Sequence, residues 1–268
     1  QLLTQTDSTV SGNNSKYYGG GIVNYFYKIL TLTDSTVSGN YSNYSGGGIF
    51  NYFYQILTLT DSTVSGNYSN YSGGGISIME YGRSTLTNST VSGNSADYNG
   101  GGISSLGELI LTNSTLFGNI ANIVDSSGNL SNNGTTTLAN SIIAGSTVFN
   151  NDLDESSGEL ETVGVNLVED GSFSGDNILN EDPQLTPLQD NGGVTLTHSP
   201  KEGSPIIDVG DNEAIPTDEE TEEPFSFDQR GEGFARIVNN TIDLGAVEFD
   251  PENSNLPSVI TTPETGSS

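Results

Sequence analysis

Ile29-Leu-Thr-Leu-Thr-Asp-Ser-Thr-Val-Ser-Gly-Asn-Tyr-Ser-Asn-Tyr-Ser-Gly-Gly-Gly-Ile49 recurs without a change at 56–76, 27 residues on. The same spacing runs outward from this pair. Gly-Gly-Gly-Ile ends at Ile22, Ile49, Ile76 and Ile103. The phrase around Ser-Thr-Val-Ser-Gly-Asn sets Asp or Asn at Asp7, Asp34, Asp61 and Asn88, then at Asn113 after 25 residues and Asn140 after 27. A period of about 20 to 50 residues means stacked units that cannot bury their apolar faces singly.

The unit is a β-coil. Helical repeats need apolar residues at i, i+3 and i+4, whereas these coils carry short alternating β-branched runs broken by Gly and Asn. We expect three short strands per coil, wrapped into a parallel β-helix whose windings rise about 4.8 Å each. Leu30, Leu32, Val37, Ile49 and their counterparts 27 residues on should point inward and stack like on like. Asp34, Asp61 and Asn88 fall at strand bends, as do Asn40, Asn67 and Asn94, because Asn and Asp tolerate the left-handed backbone region. Stacked Asn side chains can also bond from coil to coil in a ladder. The Gly triplet permits a sharp corner.

Charge divides the chain. Of 34 acidic and 6 basic residues, 27 acidic and 3 basic lie beyond residue 150. A net charge of −28 disfavours nucleic acids and anionic membranes, where binding needs cations to replace counterions. No Cys means no disulfide or thiolate metal site, and the single His198 excludes multi-histidine metal centres. No apolar run approaches the roughly 20 residues that span a bilayer, so no membrane insertion is expected. The chain starts in mid-pattern, and we expect further coils upstream.

Aromatic residues recur with the coils. Tyr25-Phe26-Tyr27 becomes Tyr52-Phe53-Tyr54 and then ends in Tyr81. Further tyrosines (Tyr17, Tyr18, Tyr41, Tyr44, Tyr68, Tyr71, Tyr98) precede the Gly triplets. Stacked coils put such rings in columns. Two readings follow: a strip that packs against the CH faces of sugars, or rings that stack on one another and shield the sheet edge.

The coils show no catalytic constellation. Polysaccharide cleavage needs clustered carboxylates, often with a cation and a basic residue. Asp7, Asp34 and Asp61 give way to Asn88, Asn113 and Asn140 at equivalent places, as a turn allows and a catalytic acid does not.

After the coils the texture changes. Asp182-Pro-Gln-Leu-Thr-Pro-Leu-Gln-Asp-Asn-Gly-Gly193 leads to Thr195-Leu-Thr-His198, Gly203-Ser-Pro-Ile-Ile-Asp-Val-Gly-Asp211, Asp228-Gln-Arg-Gly231 and Ile242-Asp-Leu-Gly-Ala-Val-Glu-Phe249. This ordered set resembles the C-terminal region of bacterial choice-of-anchor Q proteins, and the resemblance covers roughly residues 30–249. The coil phrases are also similar to the repeats of polymorphic outer-membrane proteins, with Val10, Val37, Val64 and Val91 in place of Phe. The resemblance implies a right-handed parallel β-helix of the pectate-lyase-like superfamily, secreted to the cell surface or beyond, with no catalytic residues to carry over.

We therefore expect coils over 1–180, an irregular acidic cap over 181–250 that closes the end of the stack, and a flexible Pro/Ser/Thr linker at 251–268. Asp228, Arg230, Asp243 and Glu248, with Arg236, should form a structural charge network, and His198 should be a hydrogen-bonded structural residue. No cofactor is required. Calcium is the one ion with a candidate site, at Asp208, Asp211 and Glu213 in oxygen-rich loops, alongside Asp218-Glu219-Glu220. The expected role is a non-catalytic spacer or adhesin-like module, with polysaccharides or cell-surface glycans as partners and end-to-end self-association through coil edges as a further possibility. The alternative is a polysaccharide lyase or glycoside hydrolase.

Overall fold

The computed structural model describes residues 2–25, 29–123, 126–146, 150–154, 157–217 and 222–252. It is a parallel β-helix. Each full coil carries four strands, not three, and the ladders between described coils are parallel and in register, except for a shift between Ser127 and Leu130 where Ser126–Asn132 pairs with Asn150–Asp154. The first sheet stacks Leu2–Thr6, Ile29–Thr33, Ile56–Thr60, Arg83–Thr87, Glu108–Thr112, Thr135–Ala139 and Glu159–Val163. The second holds Thr36–Ser38 and its equivalents, the third Tyr41–Ser42 and its equivalents, and the fourth Ile49–Asn51 and its equivalents. The strand missed from sequence is the third. It is only two residues long, between the Asn40 corner and the Gly triplet, too short to show alternation.

Identical side chains form columns inside. Leu32, Leu59, Leu86, Leu111 and Leu138 face one another in successive coils. So do Val37, Val64, Val91, Leu116, Ile143 and Val168, and on the opposite wall Ile49, Ile76, Ile103, Leu130 and Leu153. All are buried in one continuous core. Each fully buried Leu, Ile or Val contributes about 1.5–3 kcal/mol, so removal from water of these columns is the main stabilising term.

Two polar ladders brace the corners. At the first corner, Asp34, Asp61, Asn88, Asn113 and Asn140 all adopt φ between 45° and 51°, the left-handed region expected from their residue types. The serine after each one carries a relay. The Ser35 N–H donates to Ser62 Oγ at 3.1 Å, and the Ser35 hydroxyl donates to the Thr33 carbonyl at 2.7 Å. At the second corner, Asn13, Asn40, Asn67, Asn94, Asn119 and Asn129 each donate Nδ2 to Oδ1 of the next at 2.7–3.0 Å. That ladder ends on Asp152, whose Oδ1 accepts from Asn129 at 2.8 Å. The two corners thus differ: Asn40, Asn67 and Asn94 ladder through their side chains, while Asp34, Asp61 and Asn88 are turn formers.

The Gly triplets are required by close stacking as well as by conformation. Gly46 has φ +71°, whereas a Cβ on Gly47 would lie 2.3 Å from the Gly74 carbonyl oxygen of the next coil.

The region read as an end cap lies elsewhere. Phe173, in the loop after Asn166–Val168, and Ile178, in the strand Ile178–Leu179 that pairs with Asn166–Val168, pack against the core. Residues 185–217 and 222–249 instead run back along the outer face of the second sheet. The Thr63 hydroxyl donates to the Leu196 carbonyl at 2.7 Å, Thr115 Oγ1 accepts from the Ala246 N–H at 3.1 Å, and the Gly245 N–H donates to the Asn140 carbonyl at 2.8 Å. Leu185, Ile206 and Leu244 pack there on Ile142, Ala144 and Leu167 as a second small core. This strap holds outward-facing threonines and apolar residues that the coils alone leave wet.

Candidate functional site

The outer face of the fourth sheet forms an axial groove. Its floor is the column Ser77, Ser104, Ser131, one residue per coil, because Ile76, Ile103 and Leu130 beside them turn inward. One wall is Tyr44 and Tyr71 with Ser45, Ser72 and Asn99, the residues just ahead of the Gly triplets. The other is Met79, Leu106 and Asn133, in the turns that follow the sheet. The enclosed space is about 490 Å³, within the usual range of small-ligand sites. None of the residues lining it is charged.

The groove ends on aromatic residues. The floor position before Ser77 is Phe50, and the Tyr18 ring stacks on Phe50 with centroids 4.5 Å apart. Tyr18 also meets Tyr44 at 5.3 Å. At the far end Asn133 Nδ2 donates to Ser131 Oγ at 3.2 Å.

The aromatic strip expected from sequence lies elsewhere. Tyr54 and Tyr81 stack at 4.9 Å with planes 5° apart, and Tyr25 meets Tyr52 at 4.5 Å. Tyr52 also packs edge-on against Phe53. Phe26 and Tyr27 lie outside the described residues. None of Tyr25, Tyr52, Phe53, Tyr54 and Tyr81 lines the groove. The tyrosines that do were visible as repeats ahead of the Gly triplets. The serine floor was not, because its column begins with Val23 and Phe50 and shows no shared residue type in the first coils.

A second cavity, of about 470 Å³, lies where the strap meets the first corner, lined by Asp61, Glu223, Phe225 and Phe227 among others. Burial, reinforced by the Asp34 carboxylate one coil away, pushes the Asp61 carboxyl up to about 7. Asp34 is raised the same way, by burial and by Asp7.

The acidic residues of the strap act as acceptors. Asp228 pairs with Arg230 at 2.6 Å and also accepts from the Glu248 N–H at 2.8 Å. Arg236, fully buried, pairs with Glu248 at 3.1 Å. Burial pushes Glu248 up to about 7 against the pull of Arg236, and Asp243 up to about 6. His198 is buried between Ser92 Oγ and the Thr186 carbonyl, each 2.7 Å from a ring nitrogen, and burial lowers its pKa.

The three candidate calcium ligands are not brought together. Asp211 caps a short 3-10 turn by accepting from the Glu213 N–H. Asp208 instead lies beside Asp243 and Glu248, with one carboxylate oxygen of each within 4.8 Å of the others. Asp243 and Glu248 already accept from the backbone N–H groups of Asp208, Phe249, Val238 and Asp243. Asp218, Glu219 and Glu220 lie outside the described residues.

The coils, groove and strap define a parallel β-helix with an uncharged surface groove, one wall of it aromatic, running parallel to its axis. No protein-family model matches the chain, and neither does any curated protein. Among solved structures it is similar to the crystal structure of pectate lyase Pel9A, at 13% sequence identity and a TM-score of 0.46, over 93% of this chain and 70% of that one.

Proposed function

We propose that this chain is a non-catalytic β-solenoid of the cell surface or extracellular space, a spacer that presents a glycan-binding groove. The observation that carries the reading is the groove itself. Exposed tyrosine rings offer flat apolar faces for sugar CH groups, and a floor of hydroxyls and amides offers hydrogen bonds. The residue-for-residue repetition of 29–49 at 56–76 supports a structural shaft. Adding coils lengthens a rod and leaves its section unchanged. Resemblance to choice-of-anchor Q proteins supports placement outside the cell. A glycan array run beside a reducing-sugar assay tests the reading: binding without release of new ends is expected, and turnover of any polymer refutes it.

A second reading has one observation in its favour. Asp61 and Glu223 line the same cavity, and a carboxyl held near 7 suits a general acid. Against it, the corner column replaces Asp61 by Asn88, Asn113 and Asn140. Loss of any measured cleavage in Asp61→Asn would move the assignment to a glycoside hydrolase or lyase.

A further inference from the structure

We infer that the groove recognises the end of an uncharged, linear glycan chain and does not accept the middle of one; this rests on the glycan-binding reading above. Three observations support it.

The first is charge. The chain carries −28 overall, yet no ionised side chain lines the groove. A polyanionic sugar would meet long-range repulsion with no local cation to offset it. A neutral chain meets none.

The second is the chemistry of the walls. Tyr44 and Tyr71 are 48% and 53% exposed and line the groove, Tyr44 packed against Tyr17 and Tyr18 and Tyr71 against Tyr98, while Ser104 on the floor and Asn133 on the facing wall supply donors and acceptors. Rings above and hydroxyls below match a sugar, which has an apolar CH face and a polar rim.

The third is the closed end. Phe50 occupies the floor one coil before Ser77 and is itself covered, with Tyr18 stacked on it. A chain lying on the serine floor therefore stops at the Tyr18–Phe50 pair. The open floor runs two coil steps from Ser77 to Ser131, about 10 Å at the usual strand spacing, and with the length of the end residues it holds a di- or trisaccharide. A terminal sugar would abut the aromatic end, and the rest of the chain would leave past Asn133.

The test uses the full chain and calorimetric titration with cello-, laminari-, xylo- and manno-oligosaccharides from the monomer to the hexamer, with hexagalacturonate as the charged counterpart. We expect at least one neutral series to bind, with affinity rising to the trimer and flat beyond the tetramer. A longer polymer of that series should take up one protein per chain whatever its length. Tyr71→Ala, at an exposed position, should weaken binding at least tenfold with an unchanged melting midpoint, and Ser104→Leu, which fills the floor, should abolish it. Tyr81→Ala, outside the groove, should leave it unchanged. Binding of hexagalacturonate alone, stoichiometry that grows with polymer length, or indifference to Tyr71→Ala overturns the proposal. Absence of binding with no cleavage overturns the groove assignment alone, whereas release of reducing ends overturns the non-catalytic reading beneath it.

Discussion

Asn67 donates its Nδ2 proton to Oδ1 of Asn94 at 2.9 Å, and its backbone N–H reaches the same oxygen at 3.0 Å. The second Nδ2 proton of Asn67 goes to the Val37 carbonyl of the preceding coil at 2.9 Å, and its Oδ1 accepts from both the N–H and the Nδ2 of Asn40. One side chain thus satisfies four buried groups across three coils, and only a primary amide has the two donors and the acceptor to do so.

Asn67→Ala should therefore cost more than an ordinary polar truncation. It takes partners from the N–H and amide of Asn40 and from the Val37 carbonyl, all in a buried column, while Asn94 Oδ1 keeps only the backbone N–H of residue 67. At about 1–3 kcal/mol for each group left unsatisfied, partly relieved by entering water, the loss should exceed ~3 kcal/mol. Asn67→Asp keeps the shape and should be nearly as damaging, because a carboxylate cannot donate. Denaturant midpoints compared at constant m-value check this; parity of either variant with wild type contradicts the ladder's role.

Asp61 makes the opposite prediction. A buried carboxyl raised to about 7 from the usual 3.8 binds its proton more tightly folded than unfolded. Its contribution is therefore fully present below about pH 4 and is lost as pH rises through 7. Asp61→Asn should stabilise the fold at pH 8 by on the order of 2–4 kcal/mol and change little at pH 4. The left-handed turn tolerates the amide, since Asn88 and Asn113 occupy the same corner with φ 45° and 47°. Thermal melts of both proteins from pH 4 to 8 measure the difference. A gap that closes toward pH 8 has the wrong sign for this account.

The solenoid was legible in the sequence because its physics is local and repeated. Val37, Leu32 and Ile49 recur at the coil spacing with the same neighbours, so their inward direction follows from alternation. The turn residues followed from side-chain preference. The strap's course was not legible, because it depends on unrepeated contacts of long span, such as Gln229 with Ser62, 167 residues apart. The groove was half legible: its tyrosines recur, but its serines are ordinary residues until the fourth sheet shows which side they face.

Gln229 fastens the strap. Buried against the second sheet, it accepts from the Thr90 hydroxyl at 2.6 Å and donates to Thr63 Oγ1 and Thr195 Oγ1, each at 2.9 Å. Gln229→Ala leaves the Thr90 hydroxyl buried without its partner and removes one bond each from Thr63 and Thr195, whose hydroxyls keep the Leu196 and Asp61 carbonyls, and we expect the strap to loosen by about 2 kcal/mol while the coils hold. Amide exchange resolves the two regions: Arg236, Leu244 and Gly245 should lose protection, and Val64 and Val91 should keep theirs. Equal loss in both would mean that strap and coils unfold as one unit.

Two glycines separate the demands of conformation from those of space. Gly66 has φ +61° and nothing within 4 Å of a built Cβ, so Gly66→Ala meets only backbone strain, about 1–2 kcal/mol. Gly47 is the reverse case. Its φ is not in the left-handed region, but its Cβ would lie 2.3 Å from the Gly74 oxygen and 2.5 Å from the Tyr68 oxygen. Both are backbone atoms held by ladders on either side, so neither can swing away as a side-chain tip would. Gly47→Ala must push two coils apart, breaking the Gly47 N–H to Gly73 carbonyl bond of 3.1 Å and opening the groove wall that carries Tyr44 and Tyr71. We expect a loss of about 3 kcal/mol or more, with weakened ligand binding even where the protein stays folded. Gly66→Ala, at a residue that does not line the groove, should leave binding intact. A Gly47→Ala protein as stable as Gly66→Ala would show that the triplet serves only as a flexible corner.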